Sequence, residues 1–139
     1  FLFAAKYQVE KDKHVTVIGV IMGAATLRAA LDESEPLLAS AKPYFNVKTP
    51  VKAGEPFASL TTSWLAQAQV VARQDVRLVT WRGAILTPRV ELSKINGSLP
   101  AGAQVGTALI SSGNNTVSTP LVLQKAIAGP SWQWRLKRF

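Results

Sequence analysis

The chain has 139 residues, and its 16 basic and 8 acidic side chains give it a formal net charge of +8. A hydrophobic content of 47% is enough for a packed core and argues against a disordered chain. The absence of cysteine excludes a disulfide framework, a cysteine-based zinc site and a cysteine nucleophile. The longest strongly apolar run, residues 15–27, is too short to span a bilayer as a helix.

The first 45 residues predict a β-hairpin followed by one amphipathic helix. Residues 1–9 are expected to pair with residues 15–23 across a charged turn at residues 10–14. The second strand is rich in β-branched side chains and carries no charge, as expected of a strand covered on both faces. From Leu27 onward apolar residues recur with helical spacing, and Pro43 is expected to end the helix.

The charge of the chain changes abruptly after this helix. Residues 1–45 hold five basic and five acidic side chains, so they contribute no net charge. Residues 46–139 hold 11 basic and 3 acidic side chains, and 11 minus 3 accounts for the whole +8. Because this break coincides with Pro43 and Pro50, we predict two domains, 1–45 and 46–139.

The second segment predicts short strands throughout, separated by glycine, proline, asparagine and serine. The predicted strands are 47–51, 56–64, 67–72, 76–81, 85–92, 104–111, 117–123 and 132–139. Many short strands with regular turns are typical of a sandwich or a small barrel. The predicted fold class is therefore α+β, mainly β, with a hairpin and one helix followed by an all-β sandwich-like domain.

An internal repeat lies within the second segment. Residues 51–60 align with residues 99–108 at an offset of 48, and each copy has an apolar residue, an Ala-Gly turn and a strand. In such a turn Gly54 and Gly102 are expected to adopt positive φ so that the next strand can begin. The repeat predicts two quasi-equivalent hairpins that pack face to face.

Two parts of the sequence resemble a known family. Residues 1–6, the run Ile-Gly-Val-Ile-Met-Gly-Ala at 18–24, and residues 30–45 resemble the end of the catalytic domain of serine D-alanyl-D-alanine carboxypeptidases, the low-molecular-mass penicillin-binding proteins. The repeated Ala-Gly segments resemble the β-rich C-terminal domain that follows in this family. The resemblance implies that residues 1–45 are the last hairpin and helix of a truncated catalytic domain. It also implies an extracytoplasmic parent enzyme, at the cell wall or the outer face of the cytoplasmic membrane.

The sequence lacks Ser-x-x-Lys and Lys-Thr-Gly, and its match to Ser-x-Asn lies far downstream of the family position. These enzymes need Ser-x-x-Lys, Ser-x-Asn and Lys-Thr-Gly, and no serine here has a lysine three residues later. Lys48-Thr49-Pro50 has proline in place of glycine, and Ser112-Gly113-Asn114 reads as a turn between two strands. The single histidine, His14, is expected to be solvated at the hairpin turn. We therefore predict no catalytic, cofactor-binding or metal-binding residue, and a fragment that is inactive because the motifs lie upstream of Phe1.

The C-terminal segment carries the strongest binding signal in the sequence. Tryptophan interleaved with arginine and lysine is typical of a membrane interface. The candidate surface-contact residues are Trp132, Trp134, Arg135, Lys137 and Arg138. The alternative is that residues 132–139 form a last edge strand whose tryptophans cover the core. Both interpretations can hold together.

The expected partners follow from charge and from the predicted edge. The basic segment favours peptidoglycan or an anionic cell-envelope surface, reached through the parent enzyme. Nucleic acid is a weaker expectation because the basic residues are scattered singly and no oligonucleotide-binding motif is present. A non-catalytic β-sandwich binding module also remains open. If residues 1–7 normally pair with a strand of the missing catalytic domain, the fragment carries an unpaired apolar edge and is expected to self-associate through residues 1–23.

Overall fold

The computed structural model describes residues 1–136. Those residues form nine strands, two α-helices and a single 3₁₀ turn at Lys42–Tyr44. The elements in chain order are β1 (Leu2–Glu10), β2 (Lys13–Val20), α1 (Leu27–Ala41), β3 (Phe45–Val51), β4 (Pro56–Thr61), β5 (Gln67–Ala72), β6 (Val76–Trp81), β7 (Thr87–Leu92), β8 (Gln104–Ser112), β9 (Asn115–Leu123) and α2 (Trp132–Leu136). The predicted α+β, mainly β class is confirmed.

The chain divides into two compact units. The first holds Phe1–Lys48 and Leu78–Ala84, and the second holds Thr49–Arg77 and the described residues from Ile85 onward. The segment Leu78–Ala84 thus returns to the first unit, which the charge pattern of the sequence did not indicate. The prediction that residues 1–45 and 46–139 are separate domains is a statement about independent folding, and it stays a prediction.

The first unit begins with the predicted hairpin. Strands β1 and β2 pair antiparallel from Leu2 opposite Val20 to Glu10 opposite Lys13. Exposure alternates along both strands, so one face is half-buried while Ile18 is 71% and Val20 is 59% exposed on the other. The expectation of a strand covered on both faces is wrong here, because β1 and β2 form a two-stranded sheet within residues 1–136.

The helix α1 begins at Leu27 and ends just before Pro43, as predicted. The Thr26 hydroxyl accepts a hydrogen bond from the Ala29 N–H at 3.1 Å, which caps the first turn. The α-helix ends at Ala41, and a 3₁₀ turn that contains Pro43 follows it directly. The helix thus ends where the proline predicted. The Tyr7 hydroxyl of β1 donates a hydrogen bond to the Leu38 carbonyl and ties the hairpin to the helix.

An aromatic cluster explains why the end of β6 belongs to the first unit. The Trp81 ring stacks on Tyr44 at 5.3 Å between centroids and meets Phe45 edge-on at 4.8 Å. The Arg82 N–H donates to the Tyr44 carbonyl at 2.8 Å, and its guanidinium lies 5.7 Å from the Tyr44 ring centroid. These contacts join residues that are more than 30 positions apart in the sequence.

The second unit is built on a curled five-stranded sheet with the order β4-β5-β9-β8-β7. All four strand pairs in this sheet are antiparallel. The central strands carry the core, and Val70, Leu121 and Leu123 are almost completely buried. Strands β4 and β7 form the two edges of the sheet.

The two copies of the repeat have the same backbone geometry. Gly54 and Gly102 adopt φ of +79° and +78°, in turns that directly precede β4 and β8. The Gly54 N–H donates to the Ala72 carbonyl at 2.9 Å, and the Gly102 N–H donates to the Leu123 carbonyl at 2.8 Å. Each glycine thus links its turn to the end of the strand that pairs with the strand after it. The predicted quasi-equivalence of the two hairpins, β4–β5 and β8–β9, is confirmed.

The arrangement of the two hairpins differs from the prediction. They lie side by side in one sheet, joined by the pairing of β5 with β9 from Val70 opposite Leu123 to Ala72 opposite Leu121. The expectation of face-to-face packing is wrong, because the two return strands are buried and their backbone groups find their partners in each other. The Gly113–Asn114 segment forms the turn between β8 and β9, as predicted.

We predict that Gly106→Ala destabilises the chain. A Cβ at Gly106 would lie 2.4 Å from the Glu91 carbonyl oxygen and 3.1 Å from the Leu92 Cα, so the backbone of β7 would have to move. Overpacking of this kind costs about 1–3 kcal/mol. The change is measured as the free energy of urea-induced unfolding.

The matched control is Gly97→Ala, because a Cβ at Gly97 meets no described atom within 4 Å. Equal unfolding midpoints for the two variants would contradict the close packing of β7 on β8.

Candidate functional site

The part of the chain that the structure describes carries no group of three histidine, aspartate or glutamate side chains placed to hold a metal ion. No helix within residues 1–136 has both the length and the apolarity needed to cross a bilayer. The prediction that the chain has no catalytic, cofactor-binding or metal-binding residue stays a prediction. The strongest candidate site is therefore a surface, and it lies in the second unit around helix α2.

Helix α2 occupies the segment for which a last edge strand was the alternative prediction. The Trp134 N–H donates to the Ser131 hydroxyl at 3.3 Å, and the Arg135 N–H donates to the Ser131 carbonyl at 3.2 Å. Serine is a favoured N-cap, so Ser131 starts a helix rather than a strand. The strand prediction for residues 132–139 is wrong over Trp132–Leu136. Its error came from a period-two pattern that spans only a few residues.

The helical geometry sorts the predicted contact residues onto different faces. Trp132 and Leu136 are four residues apart and lie on the same face of α2, where they are 69% and 63% exposed. Trp134 is half-buried, and its ring meets the Trp64 ring edge-on with 6.2 Å between centroids. Trp134 thus helps to position the helix, whereas Trp132 faces solvent. Arg135 is exposed, and the predicted residues Lys137 and Arg138 lie outside the described residues.

The loop between β4 and β5 is the neighbour of α2 in the second unit. The Trp64 indole N–H donates to the Ala128 carbonyl at 3.0 Å, which fixes this loop on the segment that precedes α2. Next to Trp64, Leu65 is 81% exposed and has a φ of +65°. A bulky residue in the left-handed region costs roughly 1–2 kcal/mol, so the loop holds Leu65 outward against its own preference.

Hydrogen bonds within the loop hold this conformation. The Ala66 N–H donates to the Thr62 hydroxyl at 3.0 Å, and the Leu65 N–H donates to the Thr62 carbonyl at 2.9 Å. Thr62 is buried, so it forms a rigid base for the exposed leucine. The loop is therefore ordered by its own backbone, with its apolar tip in solvent.

We name four exposed residues of these two segments, Leu65, Trp132, Arg135 and Leu136, the tail patch. Exposed leucine, tryptophan and arginine side chains on neighbouring segments suit an amphipathic boundary between water and an apolar layer. The sequence predicted Trp132 and Arg135 but missed Leu65. The available signal was the apolar pair Trp64-Leu65 at the junction of the predicted strand 56–64 with the turn after it, and the observed end of β4 at Thr61 leaves both residues in the loop.

Known proteins were compared with the chain by sequence and by structure. No protein-family model and no curated protein matches it by sequence. The structure is similar to penicillin-binding protein 5 from Haemophilus influenzae, with a TM-score of 0.55 and 16% identity, over 91% of this chain and 38% of that protein. It is also similar to the D-alanyl-D-alanine carboxypeptidase DacD from Francisella tularensis, with a TM-score of 0.56 and 17% identity, over 92% of this chain and 33% of that protein.

The chain spans 38% and 33% of the lengths of these two structures. At such low identity the similarity establishes a common fold, and it does so over nearly all of the present chain. The resemblance predicted from the sequence is thus confirmed at the level of the fold: the chain folds like a part of the penicillin-binding protein 5 type of D-alanyl-D-alanine carboxypeptidase.

Proposed function

We propose that this chain is the C-terminal part of a serine D-alanyl-D-alanine carboxypeptidase of peptidoglycan maturation. The observation that carries the proposal is the fold similarity over 91% and 92% of the chain to two proteins of this type. The sequence resemblance supports it independently, because it rests on residues 18–24 and on the Ala-Gly repeat. In the proposed parent, Ser-x-x-Lys, Ser-x-Asn and Lys-Thr-Gly precede Phe1, so the fragment alone has no peptidase activity.

The exposed side of the hairpin supports the proposal that another part of the parent enzyme covers it. We name Leu2, Ala4, Ile18 and Val20 the hairpin face, since they share the exposed side of β1 and β2. Three of these residues are large and apolar, and exposed apolar patches of this kind mark interaction surfaces. In the parent enzyme, the rest of the catalytic domain covers the hairpin face and extends its sheet.

A fluorescent penicillin tests the assignment to the carboxypeptidase family. We expect the complete gene product to form a stable fluorescent adduct, because its Ser-x-x-Lys serine is acylated. The isolated 139-residue chain is expected to remain unlabelled under the same conditions. Labelling is read on a denaturing gel, with excess unlabelled penicillin as the competitor.

The matched control is the complete product with alanine in place of the Ser-x-x-Lys serine, which is expected to lose the adduct. A complete reading frame without these three motifs, or a labelled fragment, would refute the assignment.

The second unit is proposed to hold the enzyme at the anionic surface of the cell envelope. Residues 49–77 and 85–139, which make up the second unit, hold 9 basic and 3 acidic side chains, and long-range attraction concentrates such a segment near an anionic polymer or membrane. The tail patch adds apolar contact at the level of the lipid headgroups. The location that follows is the outer face of the cytoplasmic membrane or the cell wall.

Vesicle binding tests the tail patch. With vesicles of phosphatidylglycerol and phosphatidylcholine, the double variant Trp132→Ala/Leu136→Ala is expected to lose about 2–3 kcal/mol of binding, or roughly 30- to 150-fold. Arg135→Gln is expected to lose about 1 kcal/mol, which is about fivefold, and this loss should shrink at high salt. Binding is measured by vesicle sedimentation.

Gln133→Ala on the same helix is the matched control and is expected to bind like the original chain. Circular dichroism verifies that each variant is folded, since the altered side chains are exposed. Unchanged vesicle binding in the folded double variant would show that the tail patch is not the membrane contact.

The hairpin face predicts self-association of the isolated chain. The apolar side chains of the hairpin face are exposed, and β1 and β2 have no further strand beside them within the described residues. Two copies can therefore pair through this hairpin. We expect a concentration-dependent dimer in sedimentation velocity, weakened at least tenfold by Ile18→Lys. Thr16→Lys, two positions away on the same side, is the matched control with a smaller effect. A chain that sediments as a monomer at high concentration would contradict this interface.

A further inference from the structure

The second unit contains a groove that the proposed function does not use. It has a volume of about 650 Å³ and lies between residues 59–63 and residues 92–96. Residues 59–61 belong to β4 and Leu92 ends β7, so the groove is flanked by the two edge strands of one sheet. We name it the edge groove.

The backbone of β4 presents free hydrogen-bonding groups to this groove. The Gln69 carbonyl accepts the Gln124 N–H at 3.0 Å, so the polar backbone groups of Gln69 point away from β4. Ser59 pairs with Gln69, and its own N–H and C=O must therefore point outward, away from β5. By the alternation of an antiparallel ladder, Thr61 does the same, whereas Thr62 donates inward to the Ala66 carbonyl at 2.9 Å.

The opposite edge of the sheet is protected, and β4 is not. The Ser93 N–H donates to the Val105 carbonyl at 2.8 Å, so Leu92, Val90 and Pro88 are the outward positions of β7. Pro88 offers no N–H there, and the ion pair of Arg89 with Glu91 at 3.3 Å adds charge to the same strand. Strand β4 reads Pro-Phe-Ala-Ser-Leu-Thr, with no charge and no proline after its first residue.

The side chains along the edge groove favour an anionic peptide. Hydroxyl groups, one amide and the Lys94 ammonium group line it, and none of its lining residues is acidic or aromatic. Within residues 1–136, Lys94 has no ion-pair partner, so its charge is available to a carboxylate. A lining without aromatic rings offers no stacking surface, and the repeating donors and acceptors of the β4 edge match a peptide backbone.

We propose that the β4 edge is a docking site for an extended, carboxylate-bearing segment of a partner protein. The segment adds as a sixth strand beside β4, with its N–H and C=O groups bonded to those of Ser59 and Thr61. Its carboxylate lies against the Lys94 ammonium group. Main-chain hydrogen bonds supply the affinity. The charge of Lys94 sets the orientation of the segment, because it places the C-terminal or side-chain carboxylate in the groove.

A peptide titration of the full chain tests this site. The probe is the hexapeptide acetyl-Thr-Val-Thr-Val-Thr-Glu with a free C-terminus, followed by ¹⁵N chemical-shift changes at millimolar concentration. We expect shifts concentrated in residues 59–63 and 92–96. Thr61→Pro removes an outward N–H without removing a bond to β5, and it is expected to weaken binding at least tenfold. Lys94→Gln is expected to weaken binding about fivefold.

Indirect effects are controlled by two matched variants and by a second peptide. Val90→Pro removes an outward N–H from β7, and Lys125→Gln removes an exposed charge outside the groove, so both are expected to bind normally. A probe N-methylated at alternate residues, on the side that faces β4, is expected to lose binding. The same probe methylated on the other side should keep it, because those N–H groups point to solvent.

The site is refuted by the absence of shifts at millimolar peptide, or by equal binding of folded Thr61→Pro and the original chain. It is also refuted if an oligomer of N-acetylglucosamine shifts residues 59–63 and the peptide does not, since the groove would then recognise sugar.

Discussion

The pairing of β5 with β9 is the interaction on which the second unit depends. It joins the two hairpins of the internal repeat into a single sheet. Val70, Leu121 and Leu123, which lie in this pairing, are almost completely buried. Burying such strands requires that every backbone donor and acceptor be matched, and a neighbouring strand is the simplest partner. In the order β4-β5-β9-β8-β7 the outer strands β4 and β7 are the edges of the sheet. The edge groove is a direct consequence of that order.

Two groups of exposed apolar side chains carry the proposed contacts of this chain. The hairpin face lies in the first unit and the tail patch in the second, and each combines large apolar side chains with a well-ordered backbone. The left-handed backbone at Leu65 carries a conformational cost, and the proposed membrane contact is a use that would offset it. Ile18 and Val20 are exposed apolar residues that the proposed catalytic domain would cover. Both places fit the proposed parent enzyme, one as the junction with the catalytic domain and one as the surface contact.

Local patterns predicted the regular elements well, and the errors have a common cause. Apolar patterning, Pro43 and the Ala-Gly turns are local signals, so the hairpin, α1 and the repeat could be predicted from the sequence. The apolar residues of Trp132–Leu136 fit both the two-residue spacing of a strand and the four-residue spacing of a helix. The N-cap at Ser131 favours the helix. Leu65 was missed because a single leucine between two predicted strands gives no local signal for a left-handed backbone or for exposure.

By itself the sequence determined the class of the fold, the two equivalent hairpins, the concentration of charge after residue 45 and the resemblance to the carboxypeptidases. Each of these depends on residues that are close together along the chain or on simple counts. Only the tertiary structure decided that the hairpins share one sheet, that Leu78–Ala84 returns to the first unit and that residues 59–63 face residues 92–96 across a groove. Those features join residues tens of positions apart, and no periodicity or turn signal encodes which buried strand will complete another.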